Sequence, residues 1–384
     1  MSTGTEPPAD ALGERTGADD AAFMGIALRL AKRGLGRAWP NPTVGAVLVC
    51  QDRAEVVGRG WTQPGGRPHA EVVALAQARE RARDTTLYVT LEPCAHHGQT
   101  PPCAEAIVEA GVRRVVCAVE DPDPRVRGGG LGRLRAAGLE VCVGPLADEA
   151  HRVALGHILR ITRQRPFVQL KLAVGSDERM APGDGAPVWV TGQAARDQAH
   201  MLRAQADAIL VGRGTVAADD PSLTCRLPGM AAWSPVRVAL DSALRAPEAA
   251  KLLTEQEVAP TWLVCGEDAP ADRAQALEGQ GATILRAPQA ADGALHLEAV
   301  VELLAGQGIT RLMVEGGPTV ARAFLDADLV DEAVVFVGRE PAGPDGLQPF
   351  VSEGLDRLRN SRHLRCVDRR DVGEDRRFTY WRAD

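Results

Sequence analysis

The chain has 384 residues, of which 45% are hydrophobic and 25% are charged, and its formal net charge is −7. This composition is typical of a soluble globular protein with room for two domains, and no apolar run approaches the roughly 20 residues that cross a bilayer. The negative charge argues against nucleic acid as the main partner, because phosphate binding needs a basic face. Residues 1–19 are polar and acidic and lack the features of a secretory signal, so we expect a disordered tail on a cytoplasmic protein.

Residues 20–148 alternate between helical and strand-like patterns. Apolar residues at helical spacing are followed by short apolar runs, with Pro and Gly between them. In chain order, the predicted elements are a helix over 21–33, strands over 44–50 and 55–60, a helix over 70–83, a strand over 87–90, a helix over 104–110, a strand over 114–119, a helix over 131–137 and a strand over 139–143. Strands that alternate with helices predict a layered α/β domain.

A basic helical connector over 149–165 ends at a proline, and a second α/β pattern occupies 166–384. Its predicted elements are a strand over 167–174, a helix over 194–206, strands over 208–212, 236–240, 262–265 and 283–285, a helix over 295–305, a strand over 312–314, a helix from 320 and a strand over 332–337. The chain therefore divides into a tail, a first domain, a connector and a second domain.

Four residues of the first domain point to a catalytic metal. His69, Cys94 and Cys103 supply one imidazole and two thiols, a set that zinc takes readily while its fourth position stays open for water. The histidine and Cys103 lie at predicted helix starts, where the helix dipole favours thiolate over thiol. Glu71 shares the first helical turn with His69 and is placed to carry protons. This pattern is a known signature of zinc-dependent nucleobase deaminases.

Two interpretations stay open beside this set. His96 or His97 would close a structural zinc site if either were a fourth ligand, and otherwise they are substrate contacts or solvated residues. Asn41, just before the first strand, is either a turn residue or a hydrogen-bond partner of a heterocyclic substrate.

The run over 90–103, Thr-Leu-Glu-Pro-Cys-Ala-His-His-Gly-Gln-Thr-Pro-Pro-Cys, closely resembles the deaminase domain of the bifunctional riboflavin-biosynthesis deaminase/reductases. Eight residues separate its cysteines, whereas most cytidine and tRNA adenosine deaminases have only two. Segments 41–46 and 121–124 are also similar to substrate-contacting segments of that family. The resemblance implies a cytidine-deaminase-like fold and a substrate, 2,5-diamino-6-(5-phosphoribosylamino)pyrimidin-4-one, that loses its 2-amino group as ammonia.

The sequence of the second domain gives weaker evidence of function. Residues 314–319 read as a strand, a Gly-rich turn and a helix start, where backbone amides can bind phosphate, although a plain strand-to-helix turn looks the same. Segments 165–171, 202–204, 208–212 and 215–226 resemble the reductase domain of the same family. That resemblance implies a dihydrofolate-reductase-like fold that uses NADPH to reduce a ribosyl group to ribityl.

The resemblance also implies site residues, carried over by position. The cofactor contacts would be Val174, Trp189, Thr215, Asp219, Gly317, Pro318, Thr319, Val320, Ala321, Arg322 and Ala323. The substrate contacts would be Asn41 in the first domain and Arg203, Leu223, Arg226 and Glu315 in the second, where the planar fork of arginine suits a terminal phosphate. Lys171 and Asp219 are candidates for assisting proton transfer.

Four positions depart from the family pattern. Glu178 stands where glycine is common after the first reductase strand, so we expect it to crowd that turn and bring a charge near the cofactor. Pro187 replaces a small hydroxyl residue, Thr62 a histidine and Asp123 an asparagine. Glu178 and Pro187 lie in the reductase half and Thr62 and Asp123 in the deaminase half, so the changes bear on the efficiency of the reductase and on the exact substrate.

We therefore expect a cytoplasmic, homo-oligomeric enzyme that binds Zn2+ and NADPH and acts on a small phosphoribosylated pyrimidine, with no nucleic-acid or membrane partner. One alternative keeps the deaminase and assigns a degraded or repurposed role to the reductase half, or a related secondary pathway to the whole. Another is a zinc-stabilised nucleotide-binding protein without turnover.

Overall fold

The computed structural model describes residues 17–50, 52–98, 101–182 and 189–383. The chain forms two compact units, one running to Gly34 and resuming over Asn41–Thr162, the other made of Leu35–Pro40 and the residues from Arg163 onward. In the described part of the chain, no helix is both long and apolar enough to span a bilayer.

The first unit is a five-stranded sheet with helices on both faces. Its strand order is β2-β1-β3-β4-β5, in which β1 runs antiparallel to β2 and β3, while β3, β4 and β5 are parallel. The elements are α1 Gly17–Ala31, β1 Gly45–Cys50, β2 Glu55–Trp61, α2 Ala70–Ala78, β3 Thr86–Val89, α3 Cys103–Glu109, β4 Arg114–Cys117, α4 Gly129–Ala136, β5 Glu140–Val143 and α5 Ala147–Arg163.

Alternate residues of its strands face two apolar clusters. Leu48, Leu87 and Val115 pack with α2, α3 and α4 on one face, whereas Val47 and Val116 pack with α1 and the first turns of α5 on the other. Burial on both faces is why the central strands read as continuous apolar runs.

The second unit is a nine-stranded mixed sheet of order β10-β9-β8-β7-β11-β6-β12-β14-β13, parallel from β10 to β12 and closed at one edge by the antiparallel strands β14 and β13. Apolar clusters cover both of its faces. The elements are β6 Phe167–Val174, α6 Gln193–Ala204, β7 Ala208–Gly212, α7 Arg213–Asp219, β8 Val236–Leu240, α8 Lys251–Thr254, β9 Thr261–Gly266, α9 Ala271–Gly279, β10 Thr283–Ala287, α10 Leu297–Gly306, β11 Arg311–Val314, α11 Pro318–Asp326, β12 Glu332–Val337, α12 Asp356–Arg359, β13 Leu364–Val372 and β14 Asp375–Arg382.

The predicted α/β alternation is confirmed in both units, with three differences. The helix predicted over 70–83 ends at Ala78, where a 3-10 turn over Arg79–Ala82 follows and Arg79 has a φ of 53°. Helix α1 begins at Gly17, inside the stretch predicted as tail, and the rest of that stretch lies outside the described residues. The predicted elements do not include β13 and β14 or the short helices α7, α8, α9 and α12.

Candidate active sites

The first turn of α2 lies directly against β2 because two glycines of the strand leave room for it. A Cβ on Gly60 would lie 2.2 Å from the carbonyl oxygen of Ala70, and one on Gly58 would lie 2.3 Å from that of Ala74. Any larger residue would push the helix away from the sheet. These contacts fix the position of His69, the N-cap residue of α2, and of Glu71 in its first turn.

Cys94 and Cys103 meet at the start of α3. The loop after β3 carries Cys94 to the first turn of that helix, where the Ala104 amide donates to the Cys94 carbonyl at 3.1 Å. The Cys103 amide donates to the Cys94 sulfur at 3.3 Å. A sulfur held by backbone N–H groups at a helix start is stabilised as the thiolate.

The donor atoms of His69, Cys94 and Cys103 all lie within 4.8 Å of one another. The Nδ1 atom of His69 is 3.3 Å from the Cys103 sulfur and 3.7 Å from the Cys94 sulfur. One imidazole nitrogen and two sulfurs fit zinc, and three protein ligands are the number found in catalytic zinc sites.

The electrostatics of the cluster favour a charged sulfur beside a buried acid. A hydrogen bond from the Cys103 thiol lowers the pKa of Cys94 to about 4. The same shared proton, with burial, raises the pKa of Cys103. Glu71 is 3% exposed, and burial raises the pKa of its carboxyl above the ordinary range. A buried carboxylate that is more basic than usual is suited to taking up and returning a proton.

Of the neighbouring polar residues, Asn41 contacts the cluster, whereas His96 and His97 do not belong to it. The Asn41 side-chain amide donates to the Gly66 carbonyl at 2.9 Å and lies 3.5 Å from His69 Nε2. Within the described residues, neither His96 nor His97 contributes a donor atom to the three-residue cluster. A fourth protein ligand from these histidines, which would make a closed structural site, is therefore not part of this arrangement.

Two residues that differ from the family pattern lie in this unit, and neighbouring groups of the protein form hydrogen bonds with both. The buried Thr62 hydroxyl accepts a hydrogen bond from the Val44 amide at 2.9 Å and donates to the Pro42 carbonyl at 3.0 Å, so it fastens the strand that follows Asn41. The Asp123 carboxylate, also buried, is held by the Arg125 side chain.

The second unit contains a group of three charged side chains that are each 13–14% exposed. The Glu315 carboxylate, at the end of β11, accepts hydrogen bonds from Lys171 Nζ at 2.9 Å and from Arg203 Nε and Nη2 at 2.9 and 3.0 Å. Burial alone would raise the pKa of Glu315, but the charges of Arg203 and Lys171 hold it well below its usual range. The remaining terminal nitrogen of Arg203 donates to the Thr224 carbonyl at 3.1 Å, so each nitrogen of the guanidinium has one acceptor within the protein.

Three other predicted reductase residues have local contacts or a backbone conformation of note. Thr215 Oγ1 accepts a hydrogen bond from the Gly317 amide at 3.1 Å, which joins α7 to the turn before α11. The Arg226 amide donates to His200 Nδ1 at 3.3 Å. Leu223 is 4% exposed and has a φ of 55°, a left-handed conformation that is unusual for leucine.

Three predicted cofactor contacts have few polar contacts of their own. Val174 is fully buried at the end of β6. Trp189 is 65% exposed, with the Arg196 guanidinium 4.9 Å from its ring centre. Burial raises the pKa of Asp219 at the end of α7. The predicted contacts over 317–323 are Gly317, the N-cap residue of α11, and the first six residues of that helix.

The remaining departures concern the turn after β6. Glu178 adopts a φ of 60°, the conformation in which glycine is common, and its carboxylate pairs with Arg359. The charge is therefore neutralised by a neighbouring cation instead of standing alone. Pro187 lies outside the described residues.

Comparison with known proteins decides the family. The RibD C-terminal domain matches residues 166–376, and the cytidine and deoxycytidylate deaminase zinc-binding region matches residues 18–119. The chain belongs to the RibD family. The riboflavin biosynthesis protein RibD of Aquifex aeolicus is 40% identical over 356 residues, covering 93% of this chain and 96% of the relative. That of Escherichia coli is 38% identical over 369 residues, covering 93% and 97%.

Solved structures of RibD proteins match the full architecture. Acinetobacter baumannii RibD has a TM-score of 0.83 at 35% identity and covers 96% of this chain and 100% of its own. The diaminohydroxyphosphoribosylaminopyrimidine deaminase/5-amino-6-(5-phosphoribosylamino)uracil reductase of Thermotoga maritima has a TM-score of 0.81 at 33% identity and covers 96% and 99%. The predicted fold class, a deaminase-like domain followed by a reductase domain, is confirmed. The chain is a bifunctional riboflavin-biosynthesis enzyme with a zinc-binding deaminase domain and a reductase domain.

Proposed function

We propose that the first unit removes the 2-amino group of 2,5-diamino-6-(5-phosphoribosylamino)pyrimidin-4-one as ammonia, with zinc held by His69, Cys94 and Cys103. The observation that carries this proposal is the cluster of one imidazole and two thiols beside a buried carboxylate. The Thermotoga relative, whose name includes this deaminase activity, supports the choice of substrate.

Zinc, when bound, supplies a Lewis acid that lowers the pKa of water. The protein's own part is to move protons and to hold the ring. Glu71 takes a proton from the attacking water at a carboxylate oxygen and returns it to the departing amino group, which leaves as ammonia. Asn41, whose amide lies next to His69, orients the heterocycle by hydrogen bonding.

We propose that the second unit then reduces the ribosyl group of the deaminated product with NADPH. Opening of the ribosyl ring converts the ring oxygen to a hydroxyl group and the C1′–N bond to an imine. NADPH, when bound, would supply a hydride to C1′, and the imine nitrogen would take up one proton. Lys171, held by Glu315 at 2.9 Å, is the ammonium group available to donate that proton. The substrate contacts are Arg203, Leu223, Arg226 and Glu315.

The cofactor contacts in this proposal follow the positions carried over from the family. They are Val174, Trp189, Thr215, Asp219 and the 317–323 turn. The hydrogen bond between Thr215 and the Gly317 amide supports a joint role for α7 and the start of α11. We further propose a cytoplasmic homo-oligomer whose partners are small molecules, in keeping with the net charge of −7; light scattering of the full chain tests the assembly.

Metal removal separates the two activities. Chelator-treated protein should release no ammonia from the diaminopyrimidine substrate, and stoichiometric zinc should restore release. The same treated protein should still oxidise NADPH when it is given the deaminated substrate, because the metal ligands belong to the other unit. Ammonia release that survives complete zinc removal would refute the deaminase mechanism. Absence of NADPH oxidation with every preparation would refute the reductase assignment.

A further inference from the structure

Glu92 has a buried carboxylate that no step of the proposed reaction uses. It is 4% exposed and stands two residues before Cys94. Its Oε2 atom accepts hydrogen bonds from the amides of Asp121 at 3.3 Å and Gly128 at 3.0 Å. Its Oε1 atom accepts from the amides of Gly130 at 3.0 Å and Leu131 at 3.1 Å. One side chain therefore binds four backbone donors of a segment that is distant in sequence.

These contacts suit a carboxylate and no other side chain. The last two donors belong to the first turn of α4, where N–H groups lack partners inside the helix and the helix dipole favours negative charge. All four bonds to Glu92 are charge-assisted in a site shielded from water. An amide in its place would turn two N–H donors of its own towards two of the backbone donors.

The same segment also touches the backbone of the cysteine turn. A Cβ on Gly130 would lie 1.8 Å from the Pro93 carbonyl oxygen, so α4 begins in direct contact with the residue before Cys94. The Glu92 amide donates to the Val119 carbonyl at 3.0 Å, which ties the turn to the end of β4. The cysteine turn is thus held from two sides.

A second buried pair continues the network. Asp121 Oδ1 lies 3.0 Å from His157 Nε2 of α5, and both side chains are 7% exposed. Asp121 also accepts a hydrogen bond from the Asp123 amide at 2.9 Å. The position of the 121–131 segment is therefore determined by Glu92 on one side and by α5 on the other.

We propose that Glu92 is the positioning residue of the metal centre. Its carboxylate fastens the 121–131 segment to the Pro93–Cys94 turn, so that the Cys94 sulfur is in place before the metal binds. This inference rests on zinc binding at the cluster, as proposed above. Groups outside a ligand set that orient the ligands typically change metal affinity 10–100-fold when they are mutated.

Two variants disturb this contact from its two sides. Glu92→Gln keeps the size of the side chain and removes its charge. Gly130→Ala keeps the carboxylate but inserts a methyl group against Pro93. Gly132→Ala is the matched control on the same helix, because a Cβ there meets nothing within 4 Å. Asp207→Asn is the control for loss of a buried carboxylate in the other unit, where Asp207 accepts bonds from the amides of Thr310 and Arg311.

The measurements are zinc affinity, by competition with a chromophoric chelator, and the absorption spectrum of the cobalt-substituted protein, all on full-length chains well below their melting temperatures. We expect Glu92→Gln and Gly130→Ala to weaken zinc binding about 10–100-fold and to change the thiolate-to-cobalt bands. Both controls should bind zinc as the wild type does.

A purely structural role predicts a different result. If both test variants melt earlier but bind zinc with wild-type affinity and give the wild-type cobalt spectrum, the positioning role is refuted. If Glu92→Gln does not fold, Gly130→Ala, compared with Gly132→Ala, decides the question alone. If the wild type itself binds no zinc, the proposed metal site fails, an outcome that the wild-type titration distinguishes from failure of the Glu92 inference.

Discussion

Replacing Glu71 by glutamine should lower the deaminase activity without lowering the stability of the fold. The carboxylate is 3% exposed, and burial raises its pKa, so the fold bears a cost for keeping a charge there. Glutamine has the same shape and no charge, so Glu71→Gln should melt no earlier than the wild type. The variant cannot accept and return a proton, and loss of a general acid/base lowers the rate by about 10²–10⁴-fold, or about 3–5 kcal/mol in the activation free energy.

The assay is ammonia release from the diaminopyrimidine substrate, with zinc content measured on the same samples. Glu80→Gln is the control, because it makes the same change on the exposed segment that follows α2. Glu71→Gln should retain its zinc and still oxidise NADPH with the deaminated substrate. Ammonia release within threefold of wild type would refute the proton-transfer role, and loss of zinc would show that Glu71 acts through the metal ligands instead.

Three further predictions concern charges whose partners the structure identifies. Glu178→Ala should be less stable in thermal melts than Glu178→Gly, because alanine keeps the left-handed strain of about 1–2 kcal/mol and both lose the exposed pair with Arg359. Arg125 lowers the pKa of Asp123 from 3.8 to about 2, so the pair stabilises the fold above pH 4 and this contribution is lost as the pH falls towards 2. Acid-unfolding curves of Asp123→Asn should lack that step. Glu315→Gln should destabilise the second unit by up to about 3–5 kcal/mol in urea unfolding, because it leaves two largely buried cations without their carboxylate partner, and should abolish NADPH oxidation while ammonia release persists.

The central strands were predictable because burial on both faces produces mainly apolar runs. Phe167–Val174 and Ala208–Gly212 were predicted at their observed bounds. Both strands lie inside the nine-stranded sheet, where no face meets solvent and no alternation is imposed.

The hairpin of β13 and β14 could not be predicted from apolar runs. Leu364–Val372 forms the edge strand β13, and six of its nine residues are exposed, four of them charged. Edge strands commonly carry such charges because they discourage pairing with other chains. The pattern of such a strand is therefore set by solubility, and it resembles a loop.

The two sites also differ in how far the sequence alone could predict them. The proposed zinc ligands lie at helix starts or in the loop between them, in short motifs, so His69, Cys94 and Cys103 could be named from local spacing. Glu315 meets Arg203 across 112 residues; the family resemblance named each as a substrate contact and did not predict their ion pair. The role of Glu92 had no sequence signal beyond its place before Pro93, because its partners lie 29 to 39 residues away and are backbone groups that any residue could supply.

The most direct test of the bifunctional assignment is mass analysis of the products formed in ¹⁸O-labelled water with and without NADPH. Without NADPH, the wild type should yield one product in which the 2-amino group is replaced by a labelled oxygen. With NADPH, that product should be converted to one that carries two additional hydrogens on the sugar. Reduction of the substrate while its 2-amino group is still present, or a product without the label, would contradict the account.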